Sequence, residues 1–410
     1  GTTSTVARAL GRLKCKTVQG DGGARRPEAA QAAGGCKEST SSASPSDMSQ
    51  KRLIPLYTVS DNPSEVFTTR FSPDGKLLAA GCGDGTVRVY NAANGRLAYE
   101  LRNSKGREAM PVTGLRFRPL GASKTKNVLL AVNADGSVSH WHVTSGKCLH
   151  TIKDDNNQLY CVDYRPDGAI FATAGKDFTV RVYDEATKTL MSEMCTGVGS
   201  ATPGHSNRVF SLKFNPTDPN IMISGGWDNT VQIWDLRVEH AVRSIYGPHI
   251  CGDAVDIYDN TILTGSWRTK NQLEMWDYNS GEKIADIPWN QSVVHSATPA
   301  MLYCAQFSKG SASLIAAGGT GSNEAKVFDR SAGNRLVGTV AGLSRGVYTV
   351  DFDPFGRKLA VAGGDTAIRI LGIETKSGDS AAFDDGGYDH AEEGSIVPSE
   401  SKVEGKESHK

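Results

Sequence analysis

Residues 221–236 read IMISGGWDNTVQIWDL. Two short apolar, β-branched runs flank the turn signal Gly225-Gly226-Trp227-Asp228-Asn229, and the stretch closes on Trp234-Asp235. Along an extended chain Val231, Ile233 and Asp235 project one way and Gln232 and Trp234 the other, which is the period of a strand and not of a helix. A turn of this composition joins adjacent antiparallel strands. The phrase recurs six more times, closing on Tyr90, Trp141, Tyr183, Trp276, Phe328 and Leu371, with 42 to 52 residues between successive closing positions.

A second phrase precedes each unit. It reads Phe71-Ser72-Pro73-Asp74-Gly75, Phe117-Arg118-Pro119, Tyr164-Arg165-Pro166-Asp167-Gly168, Phe214-Asn215-Pro216, Phe307-Ser308-Lys309-Gly310 and Phe352-Asp353-Pro354-Phe355-Gly356. An aromatic residue ends a core-facing strand, and the Pro, Asp and Gly after it make a hairpin turn. The fifth unit has the shorter Ile257-Tyr258-Asp259-Asn260 for the same task.

With both phrases repeated over residues 51–375, the chain resembles the WD-repeat (WD40) family of β-propellers. The resemblance implies an all-β fold: a seven-bladed propeller over 50–376 between disordered tails, 1–49 and 377–410. The units run approximately 62–101, 110–152, 158–194, 207–246, 250–288, 301–340 and 345–375. The last unit lacks a fourth strand, and Arg52–Val59 has no partners of its own, so the N-terminal strand is expected to complete the seventh blade, the closure used in the family. Closure leaves no unpaired sheet edge between first and last units. Pro55 suits the outermost strand of a blade, where fewer ladder donors are needed.

Forty-five Lys and Arg balance 45 Asp and Glu, so nothing in the charge calls for a polyanion. Eight cysteines, with no C-x-x-C pair, mostly sit beside strand residues and read as buried free thiols of a reducing compartment, with neither disulfides nor a zinc site. No apolar run approaches a membrane span. Residues 1–49 are rich in Gly, Ala, Ser and Thr and are expected to be disordered. Arg8, Arg12, Lys14 and Lys16 without an acid permit an organelle-targeting reading. The simpler expectation is a natural start at Met48. The tail beyond Ser377 carries nine acids against three lysines and reads as solvating.

The family's blade-locking set of His, Ser or Thr, Asp and Trp is complete only in the fourth unit, as His205, Ser224, Asp228 and Trp234. A buried turn Asp needs donors, which imidazole, hydroxyl and indole supply. The trio of His, Ser and Asp is no catalytic triad, because Ser224 falls within a strand and not on an exposed elbow. Asp84, Asp135, Asp177 and Asp365 keep the turn acid elsewhere, whereas the fifth and sixth units have Lys270 and Ser322, which leaves those blades held less tightly or adapted to a partner.

Long connections over 102–111, 195–207 and 289–300 are expected on the same face as the turns before the closing phrases. On that face Lys176, Trp227, Trp267, Arg268 and Trp289, the last opening a connection that contains Val293 and Val294, are the candidates for protein binding. The alternative is that Trp227 and Trp267 cap their blades and cover neighbouring loops. Arg88, Arg181, Lys326 and Arg369 alternate with apolar residues inside blades and make no basic stripe for nucleic acid. No paired-Arg motif for a phosphoinositide headgroup is visible. The resulting expectation is a scaffold without catalytic residues, metal or cofactor, presenting a protein or peptide site within a complex. A substrate-recruiting subunit of a ubiquitin ligase or chromatin-modifying assembly is the alternative, and an axonemal subunit a third use. Location stays open between cytoplasm, nucleus and cilium, as do partner, pathway and oligomeric state.

Overall fold

The repeated turns set their own geometry. Asp84, Asp135 and Asp228 each accept a hydrogen bond through Oδ1 from the amide two residues on, at 3.0, 3.0 and 3.2 Å. The residue between adopts a left-handed conformation, with φ of +80° at Gly85, +83° at Gly136 and +60° at Asn229, so glycine or asparagine belongs there. A computed structural model describes residues 50–102, 109–121, 125–196, 203–238, 240–290 and 298–376. The tails at 1–49 and 377–410 and most of the three long connections lie outside the described residues.

Each turn joins the second and third strands of a four-stranded antiparallel sheet, and there are seven such sheets. The fourth blade runs Val209–Phe214, Ile221–Gly226, Thr230–Asp235, Ala241–Tyr246, in spatial order equal to chain order. The innermost strands of the others are Val66–Phe71, Val112–Phe117, Leu159–Tyr164, Val255–Tyr258, Met301–Phe307 and Val347–Phe352. The fold is a seven-bladed β-propeller.

Only the seventh blade departs from chain order. Its outermost strand is Gln50–Val59, paired antiparallel with Ile368–Lys376 in a register that sets Leu53 opposite Ile373 and Pro55 opposite Leu371. The ladder slips between Pro55 and Tyr57, where the missing amide of proline falls on a sheet edge. Lys51 reaches Asp329 of blade 6 at 3.1 Å, so this strand also ties two blades together.

The closing residues explain why the repeat needs bulk at that place. Tyr90, Trp141, Tyr183, Trp234, Phe328 and Leu371 are buried, filling the core beside the neighbouring blade, while Trp276 is half-buried. Neighbouring blades cover both faces of the inner sheets, so Ile221–Gly226 is buried at every residue. Cys82, Cys161, Cys251 and Cys304 are buried free thiols, and burial pushes each up to about 12. Cys148 and Cys195 are exposed.

Candidate functional site

The turns between second and third strands are hydrogen-bonded to the connection that enters the same blade. Gly83, Lys176, Trp227, Trp267 and Gly364 donate their amides to the carbonyls of Glu65, Gln158, Arg208, His249 and Gly346 at 2.8–3.0 Å. Turns and connections therefore share one face, and the first residues of the innermost strands meet there around the propeller axis. Between them opens a cavity of about 70 Å³, lined by Phe67, Tyr160, Phe210, Tyr303 and Tyr348, with Arg70, Arg116 and Asp253 deeper in.

The aromatic residues form a collar in two arcs. Tyr160 stacks on Phe210 with ring centres 4.6 Å apart, and Trp227 follows at 5.0 Å, its face covered by the Arg208 guanidinium at 4.9 Å. On the other side Trp267 lies 6.4 Å from Tyr303, Tyr303 meets Tyr348 edge-on at 5.5 Å, and Tyr348 stacks on Phe67 at 5.6 Å. Blade 2 lines the cavity with Thr113, Gly114 and Arg116 and supplies no aromatic residue, which leaves a gap in the collar. Trp227 and Trp267 thus belong to one collar. Trp227 is anchored by its indole, which donates to Cys251 Sγ at 3.0 Å.

The other three candidate binding residues sit elsewhere. Lys176 is exposed on the same face. Arg268 binds its own surroundings: Nη1 donates to the Gly247 carbonyl at 3.0 Å, and Nη2 to the Asn271 carbonyl at 2.8 Å and to Glu274 at 2.5 Å. It braces the fifth turn from the carbonyl side instead, because neither Lys270 nor a guanidinium has a lone pair to offer the turn amides. Trp289 is 4% exposed and packs 6.0 Å from Phe328, donating to Glu324 at 2.6 Å. Its ring lies inside the core and offers no surface. Val293 and Val294 lie outside the described residues.

Beneath the collar is a feature that the sequence reading missed. Immediately before the residue that ends six of the innermost strands stand Arg70, Arg116, Asp163, Lys213, Gln306 and Asp351, and Asp256 stands two residues before the end of the fifth. Their signal was one charged or amide residue recurring near the end of each innermost strand. An innermost strand is the inner edge of its sheet, and its free amides need acceptors. Asp163, Asp256, Gln306 and Asp351 each accept the amide of the aromatic residue of the next blade, from Phe214, Phe307, Phe352 and Phe71, at 2.7–3.1 Å. Asp351 thereby joins the last blade to the first.

Two cations of this ring, Arg70 and Arg116, are tied across the channel. Asp253, on the connection into blade 5, pairs through Oδ2 with Arg70 of blade 1 and with Arg116 Nη2 of blade 2 at 3.1 Å, and accepts from Ser211 of blade 4 at 3.1 Å. Burial, then the neighbouring Arg116 charge, pulls the Arg70 guanidinium down to about 10. Burial, then Arg116, likewise pulls the Lys213 amine down to about 7.

In blade 4 the His205 ring joins Asp228 Oδ2 at 2.8 Å and Ser224 Oγ at 2.7 Å, and the Trp234 indole donates to Ser224 at 2.7 Å. Burial alone would raise the Asp228 carboxyl, yet His205, the Ser206 amide and Thr230 hold it below the usual carboxylate range. Ser224 is fully buried in the second strand, sealed from any substrate. Blade 5 retains part of the set, with Trp276 donating to Thr264 at 3.0 Å. Asp135 is tied to Lys153 at 2.8 Å, Asp177 to Arg181 at 2.6 Å, Asp365 to Arg369 at 2.7 Å and Asp84 to Arg102 at 3.6 Å. Arg88 and Lys326 are also paired, with Glu100 and Glu324.

Two residues on this face are strained. Phe178, 38% exposed, and Thr366 occupy the left-handed turn position with φ of +69° and +66°, where the other blades place Gly85, Gly136, Asn229, Asn271 or Asn323. An L-residue with a bulky side chain is disfavoured there by about 1–2 kcal/mol. Phe178→Asn should therefore raise stability by roughly 1 kcal/mol in urea unfolding. A loss of stability would mean that ring packing outweighs the backbone strain.

Residues 53–91, 146–184, 197–235 and 334–370 match the family model "WD domain, G-beta repeat". The matched segments end on the third strands of four blades, and the remaining three blades repeat the same strand order. This chain is a WD-repeat β-propeller. It is 24% identical over 276 residues to "Cell division cycle 20.1, cofactor of APC complex" of Arabidopsis thaliana, covering 66% of this chain and 56% of that protein. It is 28% identical over 184 residues to "Nuclear distribution protein PAC1" of Arthroderma otae, covering 40% and 39%. With "Periodic tryptophan protein 2 homolog" of Dictyostelium discoideum it shares 26% identity over 178 residues, 43% of this chain and 18% of that one. The chain thus spans between 18% and 56% of the length of these curated relatives.

Proposed function

We propose that this WD-repeat propeller is a non-catalytic scaffold that docks a protein or peptide partner at the aromatic collar of its decorated face. The observation that carries this is the ring of half-buried aromatic residues, Phe67, Tyr160, Trp227, Trp267 and Tyr348, around a cavity on the axis. Aromatic side chains held by their neighbours contribute contact area at little further entropy cost, the usual property of interface anchors. The closed ring keeps the collar rigid, so loops from several blades can engage one partner together. The Arabidopsis relative is named as a cofactor of a complex, which favours a role within an assembly here too. Substrate recruitment to an enzyme assembly is the more specific form of this reading. Nothing in the relatives' names favours a cilium, and the axonemal use is not carried forward.

The test is site-specific photo-cross-linking in native extract with the full chain carrying a benzophenone amino acid at position 178, 227 or 355. Phe355 is 66% exposed in a turn of the opposite face. A stoichiometric partner should attach at 178 and 227 and not at 355. Trp227→Ala together with Tyr348→Ala should weaken its capture at least about tenfold, the effect of losing a binding hot spot. Attachment at 355 alone would remove the reading.

A further inference from the structure

We infer that the cavity below the collar receives a carboxylate, carried by an extended peptide chain whose apolar side chains lie against the aromatic arcs. This rests on the docking reading above and names the chemistry of the partner.

Three observations favour an anion over a cation. The charged side chains lining the cavity are two guanidiniums and one carboxylate, Arg70, Arg116 and Asp253. The nearby Asp163 is committed elsewhere, accepting from Arg116 Nε at 2.7 Å and from the Phe214 amide at 2.9 Å. Arg70, only 5% exposed, also leaves its Nε–H without a partner, a buried donor that an incoming acceptor would satisfy. Finally, the face of Trp227, the place where an aromatic collar would hold a cation, is already taken by Arg208.

Asp253 occupies the position of the ligand. Its Oδ2 is shared by both guanidiniums, and its Oδ1 accepts from Ser211, so it retains a partner when displaced. A ligand carboxylate therefore competes with Asp253 for Arg70 and Arg116, and planar guanidiniums suit that exchange. Removing the charge of Asp253 should tighten binding, whereas removing Arg116 should weaken it. General damage to the fold does not produce that opposition of sign.

The probe is 3-phenylpropionate, titrated into the full chain by ligand-observed NMR beside its neutral amide and phenethylammonium. The carboxylate should bind at least about tenfold more tightly than either, the smallest difference expected of a charge-assisted pair. Asp253→Asn should strengthen its binding about tenfold and Arg116→Gln should weaken it by as much. Equal binding of the amide or the ammonium, no binding of the carboxylate, or an unchanged affinity in Asp253→Asn would overturn the inference. Acetylated, amidated peptides carrying Glu between two Phe residues, compared with Phe-Gly peptides ending in a free carboxylate, then distinguish a side chain from a chain terminus. With the cross-linked partner, capture lost in the Trp227→Ala, Tyr348→Ala variant but retained in Arg116→Gln would overturn the carboxylate and leave the docking reading standing. Capture unaffected by both would remove the two together.

Discussion

A chain lacking residues 50–59 should lose its cooperative unfolding transition. The missing strand supplies the whole outer ladder of blade 7, from Gln50 opposite Lys376 to Val59 opposite Ile368. Its loss exposes the backbone of Ile368–Lys376 as a new sheet edge, removes Leu53 and uncovers Ile373 and the cluster of Val350, Val361 and their neighbours against which both pack. The ion pairs Lys51–Asp329 and Arg52–Glu374 go with it. A propeller without its closing strand is an open array whose end blades have lost their shared boundary, so the expected penalty is comparable to the entire net stability, on the order of 5–15 kcal/mol. Calorimetry and circular dichroism in urea should show a broad, non-two-state change. A synthetic peptide of residues 50–61, added in excess, should restore the transition by mass action. A truncated chain that still unfolds in one sharp step near the original midpoint would show that closure by this strand is dispensable.

The second large effect is expected at Asp351, on the seam between the last and first blades. Its Oδ2 accepts the Phe71 amide at 2.7 Å, and Oδ1 faces Lys309 at 3.1 Å. Asp351→Ala leaves a buried amide without an acceptor and Lys309 without its partner, with Arg70 nearby, and should cost about 3–5 kcal/mol. Asp351→Asn keeps an acceptor and removes only the charge. Burial alone would raise the Asp351 carboxyl, but Lys309, Arg70 and the Phe71 amide together hold it below the usual carboxylate range. A depressed folded value means that this stabilisation is fully present above the unfolded carboxyl pKa, about 4, and disappears as the pH falls through the lower folded value. The difference between wild type and Asp351→Asn should therefore be constant from pH 7 to about 5 and shrink below pH 4. Urea midpoints measured at pH 7 and pH 3 check this. A gap that stays constant or widens in acid would assign the effect to packing and not to charge.

The architecture was legible because its signals are local. The Asp-Gly turn of Asp84-Gly85 and the alternation through Val231 to Asp235 specify hairpins without reference to the rest of the chain. Equal repeats then require equal blades. The fifth turn was only half legible. Lys270 announced that the turn acid was missing, yet nothing in the order of residues says that Arg268, paired with Glu274, holds the turn through the Asn271 carbonyl instead.

For the site, the sequence picked out Trp227 and Trp267 as bulky residues in turns where small ones would serve. It also picked out Trp289, because a tryptophan opening a loop reads the same whether it faces solvent or the core. The structure buries it against Phe328 and Glu324. The axial ring lay beyond reach for a different reason. Arg70, Arg116 and Asp253 belong to blades 1, 2 and 5, and Arg116 is 137 residues from its partner. No local period relates an acid on one connection to a guanidinium three blades away. Sequence alone determined the number of strands, their pairing within blades and the face that carries the turns, because hairpin register depends on neighbours a few residues apart. Tertiary structure alone decided which side chains meet on the axis and how their charges pair, because only closure of the ring brings the innermost strands to a common centre.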